Sequence, residues 1–317
     1  MMDSGLILFN KPPGITSFDA LRDIKRALGT GKVGHTGTLD KFASGLLIVL
    51  AGKALRLSRW FTHCDKKYIG KIRFGEETDT LDPEGKIIAQ AVPPSRESVE
   101  NVLPQFTGGI MQAPPAFSAI HINGKRASDL SRGGKEIEMK EREVTIYKLE
   151  LFSWEPPFAE VFVHCSSGTY IRSLARDIAL AAGSRAHLCE LKRTHVGGFE
   201  LDTEEVLTET RRHGGNGKKD ECGNYFLKPI DKCIINSLGM PYIEVSKPES
   251  IDILHGKPLD EILNKKTMLC PNPPCLRENS SLNQTAAVFE GEELIAIIEK
   301  NGLNTTPNWK YACVLAE

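Results

Sequence analysis

The sequence predicts an α+β fold with a small, mostly β module at the C-terminal end. Strand-like and helix-like stretches mix without the regular alternation of a doubly wound parallel sheet. Past about Met240 only short strand patterns recur. The length agrees, since 317 residues exceed the roughly 250 at which a single core usually stops growing.

Residues 6–9 are an apolar strand stopped by Asn10-Lys11-Pro12-Pro13-Gly14, a turn cluster. A helix follows, because Thr16 and Asp19 form a capping-box pattern, Phe18, Leu21, Ile24 and Leu28 hold helical spacing, and Gly29 can cap the end. Residues 29–40 read as loop, 45–51 as a fully apolar strand and 54–61 as a short helix. Residues 68–74 alternate as a half-buried strand does, and 76–85 form a polar turn. A helix over 95–106 precedes a long loop from 112 to 134, rich in Pro, Gly and small residues. Strands at 144–151 and 159–165 lead to a helix over 171–182 ended by Gly183. Residues 211–224 have no apolar pattern and read as a mobile insertion, and strands at 286–289, 294–298 and 311–315 close the chain.

Composition removes several classes. Hydrophobic residues at 40% and charged residues at 26% are ordinary for a globular chain and exclude disorder. No apolar run approaches the roughly 18 residues of a membrane span. The start lacks a signal peptide's basic segment, so the expected location is cytoplasmic, with no membrane partner. Eight scattered cysteines read as reduced thiols, and the closest pair, Cys270 and Cys275, lacks the second pair a zinc site needs. No metal is expected. The net charge of −1 conceals an asymmetry: residues 1–75 hold thirteen Lys or Arg against five Asp or Glu, +8, which leaves −9 for the rest. That segment suits a polyanion site, although a solvated basic face would carry the same charge.

Three strings bear on chemistry. Gly29-Thr30-Gly31-Lys32-Val33-Gly34 satisfies the dinucleotide-binding fingerprint, but it follows a helix instead of a strand and opens no helix. Gly34-His35-Thr36-Gly37-Thr38-Leu39-Asp40 frees the backbone around His35 and presents one carboxylate, which alone could equally bond its own turn. Ser166-Ser167-Gly168-Thr169-Tyr170-Ile171-Arg172 puts a cation in a helix's first turn, where it is unfavourable unless an anion faces it. Between them, Lys66 and Lys67 flank Tyr68 in the mixture that stacks a base while holding phosphates, although an exposed edge tyrosine would look the same.

Taken together these strings resemble the TruB family of pseudouridine synthases. Matching blocks run in order: residues 10–17, 33–40, Lys67-Tyr68 with 78–85, 112–119 with 123–127, then 168–174 and 188–199. The resemblance covers about residues 5–235, and more loosely a PUA-like RNA-binding domain after that. It implies a pseudouridine synthase catalytic domain over 1–236, with a mixed, largely antiparallel sheet flanked by helices and an RNA-gripping loop at 112–140, plus a PUA-like domain at 240–317. It also implies isomerisation of the uridine at position 55 in the T-loop of transfer RNA, by a monomer that needs no cofactor.

By the same resemblance Asp40 matches the catalytic aspartate and Arg172 its arginine partner. Tyr68 matches the tyrosine that stacks on the base, His35 the histidine that aids uridine flipping, and Tyr170 and Leu191 pocket-lining residues. Lys11, Lys66, Lys67, Lys125 and Arg126 are the expected RNA contacts. Lys41 departs from the family's usual proline, His121 from lysine and Ser128 from tyrosine. An ionised Asp40 is expected, kept so by Arg172. Two other classes compete: an RNA-binding or chaperone protein without catalysis, and the oxidoreductase of the glycine fingerprint.

Overall fold

The computed structural model describes residues 4–118, 120–122, 124–133, 139–201, 225, 227–263, 266–269, 285–300 and 309–315. The chain opens with Gly5–Lys11 (β1), Ser17–Ala27 (α1), Val33–His35 (β2), Ser44–Ala51 (β3), Ser58–Thr62 (α2) and Lys66–Phe74 (β4). Next come Glu76–Thr78 (β5), Ile87–Gln90 (β6), Arg96–Val102 (α3), Gly108–Gln112 (β7), His121–Ile122 (β8), Lys125–Arg126 (β9) and Ala127–Arg132 (α4). The long strands Arg142–Glu155 (β10) and Phe158–Cys165 (β11) precede Ile171–Ala181 (α5), Ala186–Val196 (β12) and Phe199–Glu200 (β13). The chain ends with Lys232–Ser237 (α6), Tyr242–Glu244 (β14), Lys247–Leu254 (α7), Leu259–Leu263 (α8), Thr285–Glu290 (β15), Glu293–Lys300 (β16) and Trp309–Val314 (β17).

Nine strands form the main sheet, in the order β1-β3-β12-β4-β11-β10-β7, with β2 on β3 and β13 on β12. Only β3 and β12 run parallel, so the sheet is mixed and largely antiparallel, as expected. The uninterrupted apolar run of β3 has a physical reason: both its faces are covered. Leu47, Val49 and Ala51 pack with α1 and α5, whereas Leu46, Ile48 and Leu50 pack on the other side with Trp60 and Phe61.

That second side is completed by the four-stranded sheet β14-β15-β16-β17. Ala287, Phe289 and Ile297 share one apolar cluster with Leu6, Leu46, Ile48 and Leu50. The opposite face of this smaller sheet is covered by Ile253 of α7 and by Leu259 and Ile262 of α8. The C-terminal region therefore contains helices that the sequence did not predict. Arg59 pairs with Glu299 at 2.9 Å across the junction.

Helix α1 has the expected capping box of Thr16 and Asp19, and Gly29 takes φ +61° just beyond it. Phe18 is 69% exposed, so Ala20, Leu21 and Ile24 carry the buried face. Val33 after the glycines opens a strand, so no helix N-terminus stands where a dinucleotide's phosphates would need one. The stretch predicted as a long loop holds the β8–β9 hairpin and α4, anchored by the buried Ala127, whose N–H donates to the Ile120 carbonyl at 2.7 Å. Strand β12, central in the sheet, escaped the sequence reading because bulges at Leu188/Glu190 and Arg193/His195 break its alternation. Residues 211–224 and the Cys270–Cys275 pair lie outside the described residues. No described helix is long and apolar enough to cross a membrane.

Gly45 marks where β3 meets β12 most closely. It holds φ +103°, and a Cβ there would lie 2.2 Å from the Arg193 carbonyl oxygen. Gly45→Ala should cost about 3 kcal/mol or more, from the disfavoured φ together with the backbone clash. Denaturant unfolding measures it, and a loss below about 1 kcal/mol would show that the two strands can part cheaply.

Candidate active site

Asp40 ends a loop pinned from several sides. Ser17 Oγ donates to the Leu39 carbonyl at 3.0 Å and accepts from the Leu39 N–H at 2.9 Å. Thr36 N–H donates to Ile48 O at 3.0 Å, and Arg193 Nη2 donates to Gly37 O at 3.1 Å. Just past Asp40, the Lys41 carbonyl accepts from Gly14 N–H at 2.8 Å and from Lys11 Nζ at 3.4 Å. The Asp40 side chain, 36% exposed, looks into a cavity of about 490 Å³ that is also walled by Tyr68, Phe117, Tyr170, Leu191 and Arg193.

Arg172, 4% exposed, enters from the first turn of α5. Its Nη2 donates to Asp40 Oδ1 at 3.2 Å, and its Nε stands 3.0 Å from Oδ2 in ion-pair contact without a hydrogen bond. Nη1 donates to Asp82 Oδ2 at 3.1 Å and to Thr80 O at 2.7 Å, while Nη2 also reaches Phe117 O at 3.1 Å. Two carboxylates and two carbonyls thus offset the cost of a cation at a helix N-terminus.

Asp82 was not singled out in the sequence, where its turn reads as polar and lies within one of the matching blocks. Leu81, at φ +60° and buried, turns the chain so that Asp82 faces inward. Thr80 Oγ1 at 2.5 Å and Glu84 N–H at 3.1 Å both donate to Asp82 Oδ1, leaving Oδ2 for the arginine. Lys41, the departure from the family's proline, pairs with Glu84 at 2.9 Å and so ties the Asp40 loop to the Asp82 turn. The side chains of His121 and Ser128, the other two departures, lie outside the described residues.

Removal from water pushes the Asp40 carboxyl above its ordinary value, with Asp82 adding to the rise and Arg172 opposing it. Among the effects that oppose the rise, the Arg172 charge is the largest. Burial likewise pushes the Tyr68 phenol up, keeping it protonated, with the neighbouring Arg193 guanidinium opposing. Arg193, also missed in the sequence, is buried, and its Nε donates to Leu46 O at 2.8 Å.

The remaining predicted residues separate. Tyr68, Tyr170 and Leu191 line the cavity with Asp40 and Arg172. His35 is not among its lining residues; it sits in β2 opposite Val49, and burial lowers its pKa, with Arg193 next in effect. One predicted RNA contact requires correction. Lys11 is fully buried, its Nζ donating to Pro12 O at 2.9 Å and Ile15 O at 2.7 Å. Lys66 is buried as well, donating to Thr62 O at 2.6 Å and Cys64 O at 2.5 Å, but it also lines the cavity. Burial depresses both amines to about 8. Lys11 braces backbone from inside and does not present its charge at the surface to a phosphate chain, whereas Lys66 reaches the cavity wall. Lys67 alternates with Tyr68 and faces the other side of β4 from the cavity. Lys125 and Arg126 form β9, with side chains outside the described residues.

Residues 25–171 match the model of the TruB family pseudouridylate synthase N-terminal domain. The chain is 45% identical to a tRNA pseudouridine synthase B of Treponema denticola, over 94% of this chain and 95% of that protein. It is 36% identical to the enzyme of the same name from Caldanaerobacter subterraneus, over 93% of this chain and 98% of that one. The fold matches the crystal structure of a Cbf5-Nop10-Gar1 complex with a TM-score of 0.67 at 23% identity, covering 98% of this chain and 85% of that chain. Agreement along nearly the whole length, with the Asp40–Arg172 pair set in the cavity wall, leads to one conclusion: the chain belongs to the TruB family of tRNA pseudouridine synthases, which are isomerases.

Proposed function

We propose that this isomerase acts on the T-loop uridine at position 55 of transfer RNA, with Asp40 as the catalytic group. The observation that carries the reading is the Asp40–Arg172 ion pair facing a cavity walled by Tyr68. Breaking the uracil N1–C1′ bond and joining C5 to C1′ requires the base to leave the RNA stack and turn in place. Flipping costs a few kcal/mol, which an aromatic wall offsets by stacking. Tyr68 supplies that wall, and Tyr170 and Leu191 narrow the space around it.

Arg172 donates one hydrogen bond to Asp40 Oδ1 and lies in ion-pair contact with Oδ2, which restricts the orientation in which the carboxylate meets the nucleoside. Three roles are open to it: addition to C1′, addition to the base, or assistance to glycal formation. In each the proton lost from C5 is balanced by one gained at N1. Residues 1–236 are assigned to this chemistry and 240–317 to a second, PUA-like contact with the RNA.

Incubating the protein with an unmodified transfer RNA transcript and mapping pseudouridine tests the assignment. Modification confined to position 55 is expected. Modification only at another uridine would overturn the site, and none at all would favour an RNA-binding protein without catalysis.

A further inference from the structure

Gln112 falls in the block that resembles an RNA-gripping loop, yet its side chain does not face solvent. It is fully buried at the end of β7. Its amide makes both possible bonds to one backbone residue: Nε2 donates to Tyr170 O at 3.1 Å, and Oε1 accepts from Tyr170 N–H at 2.8 Å. A side chain thereby performs the pairing that a neighbouring strand would perform.

Tyr170 is the N-cap of α5, with extended backbone and no side-chain cap of its own. Its carbonyl also accepts the first helical bond, from Leu174 N–H at 3.0 Å. Gln112 therefore fixes the point where the chain passes from loop to helix, two residues ahead of Arg172. The residue opposite Gln112 in the ladder, Arg142, grips the same segment from its other side. Its Nη2 donates to Gly168 O, and its guanidinium lies 4.8 Å from the Tyr170 ring centre. One residue along, the Ala113 carbonyl accepts from Ser173 Oγ at 2.8 Å.

We propose that Gln112 is a positioning residue for the isomerisation, setting the placement of Tyr170 and Arg172 through its double bond to the Tyr170 backbone. This rests on the assignment of the cavity as the active site. Catalytic groups displaced by about 1 Å lose on the order of a hundredfold in rate, and the N-cap is the hinge about which such a displacement would occur.

Gln112→Leu keeps the volume and removes both bonds. With transfer RNA transcript, the single-turnover rate at saturating enzyme should fall at least thirtyfold, while the dissociation constant for the RNA changes less than threefold. Gln112→Glu retains the acceptor for the Tyr170 N–H and loses the donor, so its rate should lie between the two. A double-mutant cycle with Tyr170→Ala should be strongly non-additive, because both changes disturb one placement. Near-UV circular dichroism at assay temperature keeps the comparison to folded protein. If Gln112→Leu does not fold, Gln112→Glu and its cycle decide alone. Wild-type-like rates in the folded variants, or fully additive losses, would overturn the inference. A wild-type enzyme that makes no pseudouridine would instead overturn the functional assignment.

Discussion

Asp40→Asn should abolish pseudouridine formation while leaving RNA affinity within about threefold of wild type. The amide keeps the shape of the side chain but removes the anion, and its NH2 would meet the Arg172 donors in place of one carboxylate oxygen. Binding draws mainly on phosphate contacts elsewhere. A loss of at least 10⁴ in single-turnover rate, about 5.5 kcal/mol of barrier, is expected. A tenth of the wild-type rate in the variant would remove Asp40 from the chemistry. The wild-type rate also has a direction in pH. Burial raises the Asp40 pKa, so a reaction that needs the carboxylate is lost as pH falls through that raised value. The acid limb should therefore lie above the roughly 3.9 of an ordinary aspartate. A limb at or below that value would show that Arg172 outweighs burial.

Arg172→Lys should cost at least a hundredfold in single-turnover rate. An ammonium cannot span Asp40 and Asp82 while also meeting the carbonyls of Thr80 and Phe117. It would leave the buried Asp82 carboxylate poorly paired, at a cost on the order of 3 kcal/mol in stability. Rates should be taken at saturating enzyme well below the variant's melting temperature. More than half of wild-type activity would reduce Arg172 to a packing residue.

Asp40, Tyr68 and Arg172 could be found in the sequence because each sits in a string that matches a block of the TruB family, although each string taken alone also fits a bland reading. A carboxylate follows two glycines, an aromatic sits beside cations, and an arginine stands in a helix's first turn. Asp82 and Gln112 lie in matching blocks too and were not singled out, because their meaning lies in partners 90 and 58 residues away. Lys11 was misread for the converse reason: a basic residue looks the same in sequence whether it is solvated or turned inward to hold carbonyls. Strands β1, β3, β4, β10 and β11 were legible from alternation or an unbroken apolar run, whereas glycine-led β7 and bulged β12 were not.

The apolar cluster shared by β3 and the smaller sheet bears on how such a chain can diverge. Phe289 and Ile297 are to Leu46 and Ile48 what one half of a zip is to the other. A lineage could not shed the C-terminal sheet while keeping the first sixty residues as they stand, since the outward side chains of β1 and β3 would then meet water. Loss of the sheet would have to be accompanied by polar replacements along those strands. The two regions are therefore bound to one another in inheritance as well as in space.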